Sequence, residues 1–163
     1  MFQAAIITAS DKGARGERED LSGKVIREIL EANDYQVADQ IILPDERGQL
    51  SDAMRKLCDE GGIDLILTTG GTGFSDRDCM PEATLDVVER QIPGIPEAMR
   101  WNGLQITKRA MLSRAVAGIR KHTIIINLPG SPKAVRENLE YIIDVLPHGL
   151  QILRGEATEC ARK

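Results

Sequence analysis

Residues 63–84 read Ile63-Asp64-Leu65-Ile66-Leu67-Thr68-Thr69-Gly70-Gly71-Thr72-Gly73-Phe74-Ser75-Asp76-Arg77-Asp78-Cys79-Met80-Pro81-Glu82-Ala83-Thr84. The apolar run 63–67 has the length and branching of a buried strand. It breaks at Thr68-Thr69, and the glycines at 70, 71 and 73 let the backbone take positive φ and let a ligand approach the main chain closely. A charged loop follows to Asp78. Pro81 suits the first position of a helix, and Glu82 faces the positive end of its dipole. Strand, glycine loop, acids and helix start together predict a ligand-binding edge around which the other segments are arranged.

On either side of this stretch, apolar runs alternate with amphipathic ones. Residues 4–9 read as a first strand, followed by a charged loop to Glu19. Asp20 is a candidate N-cap for a helix to Ala32, with Leu21, Val25, Ile29 and Ala32 along one stripe. Residues 35–43 read as a second strand, closed by the turn Pro44-Asp45-Glu46-Arg47-Gly48. Leu50, Ala53, Met54 and Leu57 mark another helix, ended by Gly61-Gly62. A third helix is expected from Pro81 through Ala83, Leu85, Val87 and Val88 to about Ile92. A short helix is expected over 96–104, with Met99 and Trp101 partly buried. Residues 115–119 read as a strand paired across Arg120-Lys121 with the β-branched run 123–128. Ser131 and Pro132 then cap and start a last long helix carrying Val135, Leu139, Ile142, Ile143 and Leu146, with Leu150, Ile152 and Leu153 following Pro147.

Continuous apolar strands between amphipathic helices predict an α/β fold: a three-layer sandwich with a mostly parallel sheet and helices on both faces. Residues 1–155 are expected to form a single domain, followed by a polar C-terminal tail, 156–163. Ligands of such sheets sit at the carboxyl ends of the strands. Here those ends are Ser10-Asp11, Asp45, the segment 70–78 and the segment 129–133, which should converge on one crevice.

At 163 residues and 42% apolar content the chain is long enough for a real core, and no run approaches the ~18 residues of a membrane span. The start of the chain lacks the pattern of a signal peptide, so a cytoplasmic protein is expected. Cys58, Cys79 and Cys160 are odd in number and form no CxxC pair, which argues against a disulfide framework and a structural zinc site. Net charge is -4, with no long basic run, which excludes a general nucleic-acid binder. His122 and His148 have no evident partner in the sequence.

The glycine loop is neither a Walker A motif, since no Gly-Lys-Ser/Thr follows, nor a GxGxxG fingerprint. Asp76 and Asp78 are candidate Mg2+ ligands, with Asp45 as a third, because Mg2+ takes one or two carboxylates along with phosphate oxygens and water. Asp45 equally suits ordinary turn chemistry. The Gly130-Ser131-Pro132 helix start suits either simple capping or phosphate binding through free amides. The residues by themselves reach as far as an α/β protein that binds a phosphorylated small molecule.

The segment TTGGTGFSDRDCMPEAT (68–84) resembles the hallmark of the molybdopterin-binding domain, found in stand-alone molybdopterin adenylyltransferases, in gephyrin and in the plant fusion protein. The resemblance extends over nearly the whole chain: TASDKGARGERED near the start, LPDE at 43–46, IPGIPEAMR, MLSRAVAGIR and INLPGSPKAVRENLE. It implies a homotrimer that transfers AMP from ATP, with Mg2+, to the terminal phosphate of molybdopterin, releasing pyrophosphate. The product then passes to a molybdate-insertion protein. A sister branch of the same fold implies the alternative, molybdopterin binding without adenylyl transfer. By motif, Asp45 and Asp78 correspond to the family's essential acids and to the metal site. Gly70, Gly71, Thr72 and Gly73 would line the cleft, and Ser113, Pro129, Gly130 and Ser131 would contact pterin or nucleotide, with Ser10 and Asp11 as further members. The family usually has threonine where this chain has Met80; a threonine there can cap the helix, so its loss is expected to cost about 1 kcal/mol locally.

Overall fold

The computed structural model describes residues 1–156. Along this stretch come β1 (Phe2–Ala9), α1 (Asp11–Ala14), α2 (Leu21–Ala32), β2 (Tyr35–Leu43), α3 (Arg47–Glu60), β3 (Leu65–Thr69), α4 (Met80–Leu85) and β4 (Arg90–Gln91). They are followed by α5 (Gly94–Leu104), a 3-10 turn (Lys108–Leu112), β5 (Ala117–Arg120), β6 (Thr123–Leu128), α6 (Pro132–Ile142) and α7 (Leu146–Leu153). The six strands form one sheet in the order β2-β1-β3-β6-β5-β4. β2, β1, β3 and β6 run parallel, while β5 is antiparallel to β6 and β4 to β5.

Alternation along the strands divides the core in two. Ala4, Ile6, Leu65, Leu67, Ile124 and Ile126 face α2, α5, α6 and α7, packing on Ile26, Leu30, Met99, Leu139 and Leu150. Ala5, Ile7, Ile66 and Ile125 face α3 and α4, packing on Leu50, Met54, Met80 and Ala83. Successive side chains of a strand point to opposite faces, so a strand apolar at every position must be covered on both. This is the α/β three-layer arrangement with a mostly parallel sheet that the sequence predicts. Among the described residues no helix is long and apolar enough to cross a membrane.

Several boundaries differ from the sequence reading, each for a local reason. The central strand is Leu65–Thr69, two residues later than expected. Thr68 and Thr69 are fully buried, but their hydroxyls are satisfied: Asn127 Nδ2 donates to Thr68 Oγ1 at 3.0 Å, and Thr69 Oγ1 donates to the Pro129 carbonyl at 2.6 Å. The loop after β1 contains the short α1, capped by Ser10 Oγ accepting from Gly13 N. The third helix stops at Leu85, because Val87 N and Val88 N both donate to Thr84 O and the chain turns into the sheet-edge strand β4. Trp101 is not partly buried but 64% exposed, and Leu21, Leu85 and Ile152 also face outward. The last long helix ends at Ile142, and Leu146 opens the separate helix α7. The tail assigned to 156–163 and Cys160 lie outside the described residues from position 157 onward. His122 has a partner after all, the Leu153 carbonyl oxygen at 2.9 Å.

Met80 is the first residue of α4, not its cap; Cys79 is the cap and makes no side-chain cap hydrogen bond. Met80 is fully buried beneath the glycine loop. Burying a methionine contributes roughly 1.5–3 kcal/mol, more than the ~1 kcal/mol a cap supplies. Since position 80 lies inside the helix, the expected loss of a cap does not arise there, and Met80 contributes packing instead.

Asn127 is the polar centre of this layer. Its amide donates to Thr68 Oγ1 and Thr84 Oγ1, and its Oδ1 accepts from Val116 N. Asn127→Ala leaves all three groups without that partner and is expected to lower stability by about 3 kcal/mol, read as a lower urea midpoint at unchanged m-value.

Candidate active site at the carboxyl edge of the sheet

β2 pairs with one side of β1 and β3 with the other, so the connections after β1 and β3 diverge. A crevice opens where they part, as expected at a topological switch point. The cavity there has a volume of about 830 Å³ and is lined by Ser10, Asp11, Asp45, Gly70, Gly71, Asp78, Gly130 and Ser131 together with Lys12, Arg18, Asp20, Ser22 and Arg77. The structure thus brings together residues from the ends of β1, β2, β3 and β6.

Glycine is required at two points of the loop, and a third glycine packs closely against an acid. Gly70 has φ 88°, and a Cβ there would lie 2.4 Å from the Ala9 carbonyl oxygen. Gly71 has φ 69°, and its Cβ would meet Asp45 Oδ1 at 3.2 Å. At Gly73 a Cβ would come within 2.8 Å of Asp78 Oδ2. Each of the two acids therefore lies against a glycine of the same loop.

The acids are held by the backbone and by one another's segments. Asp11 N donates to Asp45 Oδ2 at 3.2 Å, and Asp45 N returns a bond to Asp11 Oδ1 at 3.0 Å. Asp78 Oδ2 accepts from Ser75 N at 3.0 Å. Arg77 forks onto Asp11 at 3.1 and 3.0 Å and also reaches Glu46 at 2.8 Å. The hydrogen-bonded Arg77 guanidinium, with the backbone amide of Asp45, holds the Asp11 carboxyl below its ordinary range. Asp45 moves the other way: desolvation raises it, and the charges of Asp11 and Asp78 add to the rise.

Two helix starts complete the walls. Asp20 caps α2 by accepting from Gly23 N at 2.9 Å, and its other oxygen accepts the Thr8 hydroxyl at 2.7 Å. Ser22 Oγ donates to Gly130 O at 2.6 Å, tying α2 to the loop after β6. Ser131 caps α6 by accepting from Ala134 N at 3.2 Å. A helix start capped by a neutral hydroxyl keeps its attraction for anions, whereas one capped by a carboxylate is largely offset.

With that geometry in place, residues 5–148 match the family model described as a probable molybdopterin binding domain. The chain belongs to the molybdopterin-binding-domain family. Molybdopterin adenylyltransferases of Helicobacter pylori strain J99 and Escherichia coli K12 are 41% and 35% identical to it, over 97% and 98% of this chain and 91% and 89% of theirs. The crystal structure of the molybdopterin biosynthesis enzyme MoaB from Thermus thermophilus superposes with a TM-score of 0.90 at 48% identity, covering 98% of this chain and 100% of that one.

Not every residue carried over from the molybdopterin-binding domain lines the cavity of this member. Thr72 is buried, and Gly73 packs beside Asp78. Ser113 ends the 3-10 turn, its Oγ accepting from Ala115 N at 3.3 Å. Pro129 contributes its carbonyl to Thr69. Asp76, one of the candidate metal ligands, is exposed and outside the lining. Sequence reasoning missed Arg77, Lys12, Arg18 and Ser22 as lining residues, and it saw Asp20 only as a cap. Their basic and capping character was visible, but their direction was not.

The raised Asp45 carboxyl yields a pH prediction. A carboxyl that holds its proton more tightly when folded opposes folding once ionised, so its contribution falls as pH rises from the unfolded value through the folded one. Asn at 45 can still accept from Asp11 N. Asp45→Asn is therefore expected to be more stable than the parent at pH 7, with the gap closing below the ordinary carboxylate range, as read from paired urea titrations.

Proposed function

We propose that this protein is a molybdopterin adenylyltransferase acting in molybdenum cofactor biosynthesis. The observation that carries the reading is the pair Asp45 and Asp78, set against Gly71 and Gly73 at the mouth of a crevice closed by a helix start, in a chain similar along nearly its whole length to proteins of that name. The terminal phosphate oxygen of molybdopterin attacks the α-phosphorus of ATP. The bond from that phosphorus to the oxygen bridging to the β-phosphate breaks, and pyrophosphate leaves with the electron pair. The ionised phosphate nucleophile needs no base, so the protein's contribution is alignment and charge stabilisation.

In this reading the amides around Gly70 and Gly71 and the start of α6 bind phosphate oxygens, and Ser10, Asp11 and Ser131 shape the cleft. Asp45 and Asp78 would hold Mg2+, which would supply charge neutralisation to the phosphates. The donor set fits such an ion: hard carboxylate oxygens, one of them disfavoured as a bare anion, leaving phosphates and water to complete the shell. Residues 1–155 act as one domain, in the cytoplasm, and the product passes to a molybdate-insertion protein.

A homotrimer agrees with the surface. Trp101, Ile106, Met111 and Leu112, all on or beside α5 and the 3-10 turn, are each about half exposed or more. Apolar groups this large on one segment are what a subunit interface covers. Light scattering on the eluting protein is expected to give three times the 17.9 kDa chain mass, with Trp101→Glu shifting it downward.

The enzymatic test is to supply molybdopterin and Mg-ATP and to look for adenylyl-molybdopterin and pyrophosphate. Turnover is expected, and Asp78→Asn is expected to lower kcat by about 100-fold or more while keeping the fold and pterin binding. Pterin binding with no AMP adduct would identify a binding protein of the same fold instead. Wild-type turnover in Asp78→Asn would remove that residue from the mechanism.

A further inference from the structure

The loop that carries Asp78 has little packing of its own. Phe74, Ser75, Asp76 and Arg77 are exposed, and the tip closes on itself through Asp78 N donating to Ser75 O at 2.9 Å. Arg77 ties the outer side of the tip to Asp11 and Glu46, and a side chain 36 positions later grips its base. Arg114 directly follows Ser113, at the end of the 3-10 turn. Its backbone N donates to Thr72 O at 3.0 Å. Its Nε donates to Gly73 O at 2.7 Å and its Nη2 to Asp78 O at 2.9 Å, while Nη1 pairs with the Glu82 carboxylate in the first turn of α4.

One planar guanidinium thus grips both ends of the tip and the helix that follows. Glu82 Oε2 is buried without a hydrogen-bond partner, so the pairing of Oε1 with Arg114 is the means by which this carboxylate is tolerated. Desolvation pushes the Glu82 carboxyl up, but the hydrogen bond and charge of Arg114, the backbone amide of Glu82 and the charge of Arg47 together leave the group below its ordinary value. The fork is rigid, so three acceptors bound by it are fixed relative to one another. The fixed span is the one that sets Asp78 over Gly73.

We propose that Arg114 is the positioning residue of the site: it braces the 72–82 loop through the carbonyls of Gly73 and Asp78, so that the Asp78 carboxylate is presented to the crevice that Asp45 also lines. The turnover part of this assignment rests on the adenylyl-transfer reading; the bracing part does not. A lysine at 114 would keep a positive charge for Glu82 but could not span both carbonyls, so Arg114→Lys separates bracing from simple charge neutralisation.

The test compares wild type, Arg114→Lys and Arg114→Gln by hydrogen–deuterium exchange and by kinetics. In Arg114→Lys, amide exchange across 72–79 is expected to rise about tenfold or more, while the β1, β3 and β6 amides and the urea midpoint stay near wild type. kcat is expected to fall by about 100-fold with KM for molybdopterin within about threefold, since misplacing a group costs rate before binding. Placed on Asp78→Asn, Arg114→Lys should cost less than about twofold more, because the group it positions is already disabled. Unchanged loop exchange in Arg114→Lys overturns the proposal, as does wild-type kcat or a full multiplicative loss on top of Asp78→Asn. Global unfolding of both variants also overturns it, by making Arg114 a residue of the fold. If wild-type protein makes no adenylyl-molybdopterin, the functional reading fails while the exchange comparison still decides the bracing role.

Discussion

The carbonyl oxygen of Ala9 occupies the space that a Cβ on residue 70 would need, 2.4 Å from its ideal position. β1 and β3 are hydrogen-bonded neighbours up to Thr8 and Thr69, and at the next residue the two chains must separate without parting the strands behind them. Only a residue with no side chain and a backbone at φ 88° allows it. Because β2 lies beyond β1 and β6 beyond β3, the separating chains leave in opposite directions and the crevice is what remains between them. Gly71 then turns the loop against Asp45, and Gly73 brings it over Asp78. The location of the site and the identity of the loop residues thus follow from one steric condition at the crossover of a parallel sheet.

The parts of the fold that could be read from the sequence are those whose physics is local. β6 is a continuous apolar run and α2 carries an apolar stripe, and their bounds and those of β2 agree with the structure, as does the capped start of α6. The central strand was misplaced because Thr68 and Thr69 look like the start of a polar loop. Their burial depends on Asn127 and Pro129, 59 and 60 positions away. α1 is too short and too polar to show a stripe, and Trp101 looks like a core residue by type alone. The glycine loop and the four strand ends were legible as an edge. Asp45 and Asp78, however, stood out as a pair only through family resemblance, since a single aspartate in a turn has a sufficient local reason to be there. Arg77 and Arg114 were illegible for the same reason as Thr68: their partners lie 66 and 41 positions off, at Asp11 and Gly73.

Under the adenylyl-transfer reading, a chain with a net charge of -4 and four aspartates lining one crevice has to accommodate polyphosphate. The two sides of the crevice answer this differently. On the side of β1 and β2, Asp11 and Asp45 share backbone bonds, and Asp20 spends the positive end of α2 on its own carboxylate. On the side of β6, α6 starts at Ser131, whose neutral hydroxyl leaves that helix end free to favour an anion. Arg77 sits between them, already committed to Asp11 and Glu46. The crevice is therefore uneven across its width: carboxylates gather on one wall, although Lys12 and Arg18 also line it, and a helix start capped by a hydroxyl stands on the other. Under the adenylyl-transfer reading a metal–nucleotide complex satisfies both walls in a single orientation, cation toward Asp45 and Asp78, phosphates toward α6. Neither a bare nucleotide nor a bare metal ion does so. That asymmetry is a stronger constraint on the direction of binding than any one contact, and it arises from which of two helix caps is a carboxylate and which is a hydroxyl.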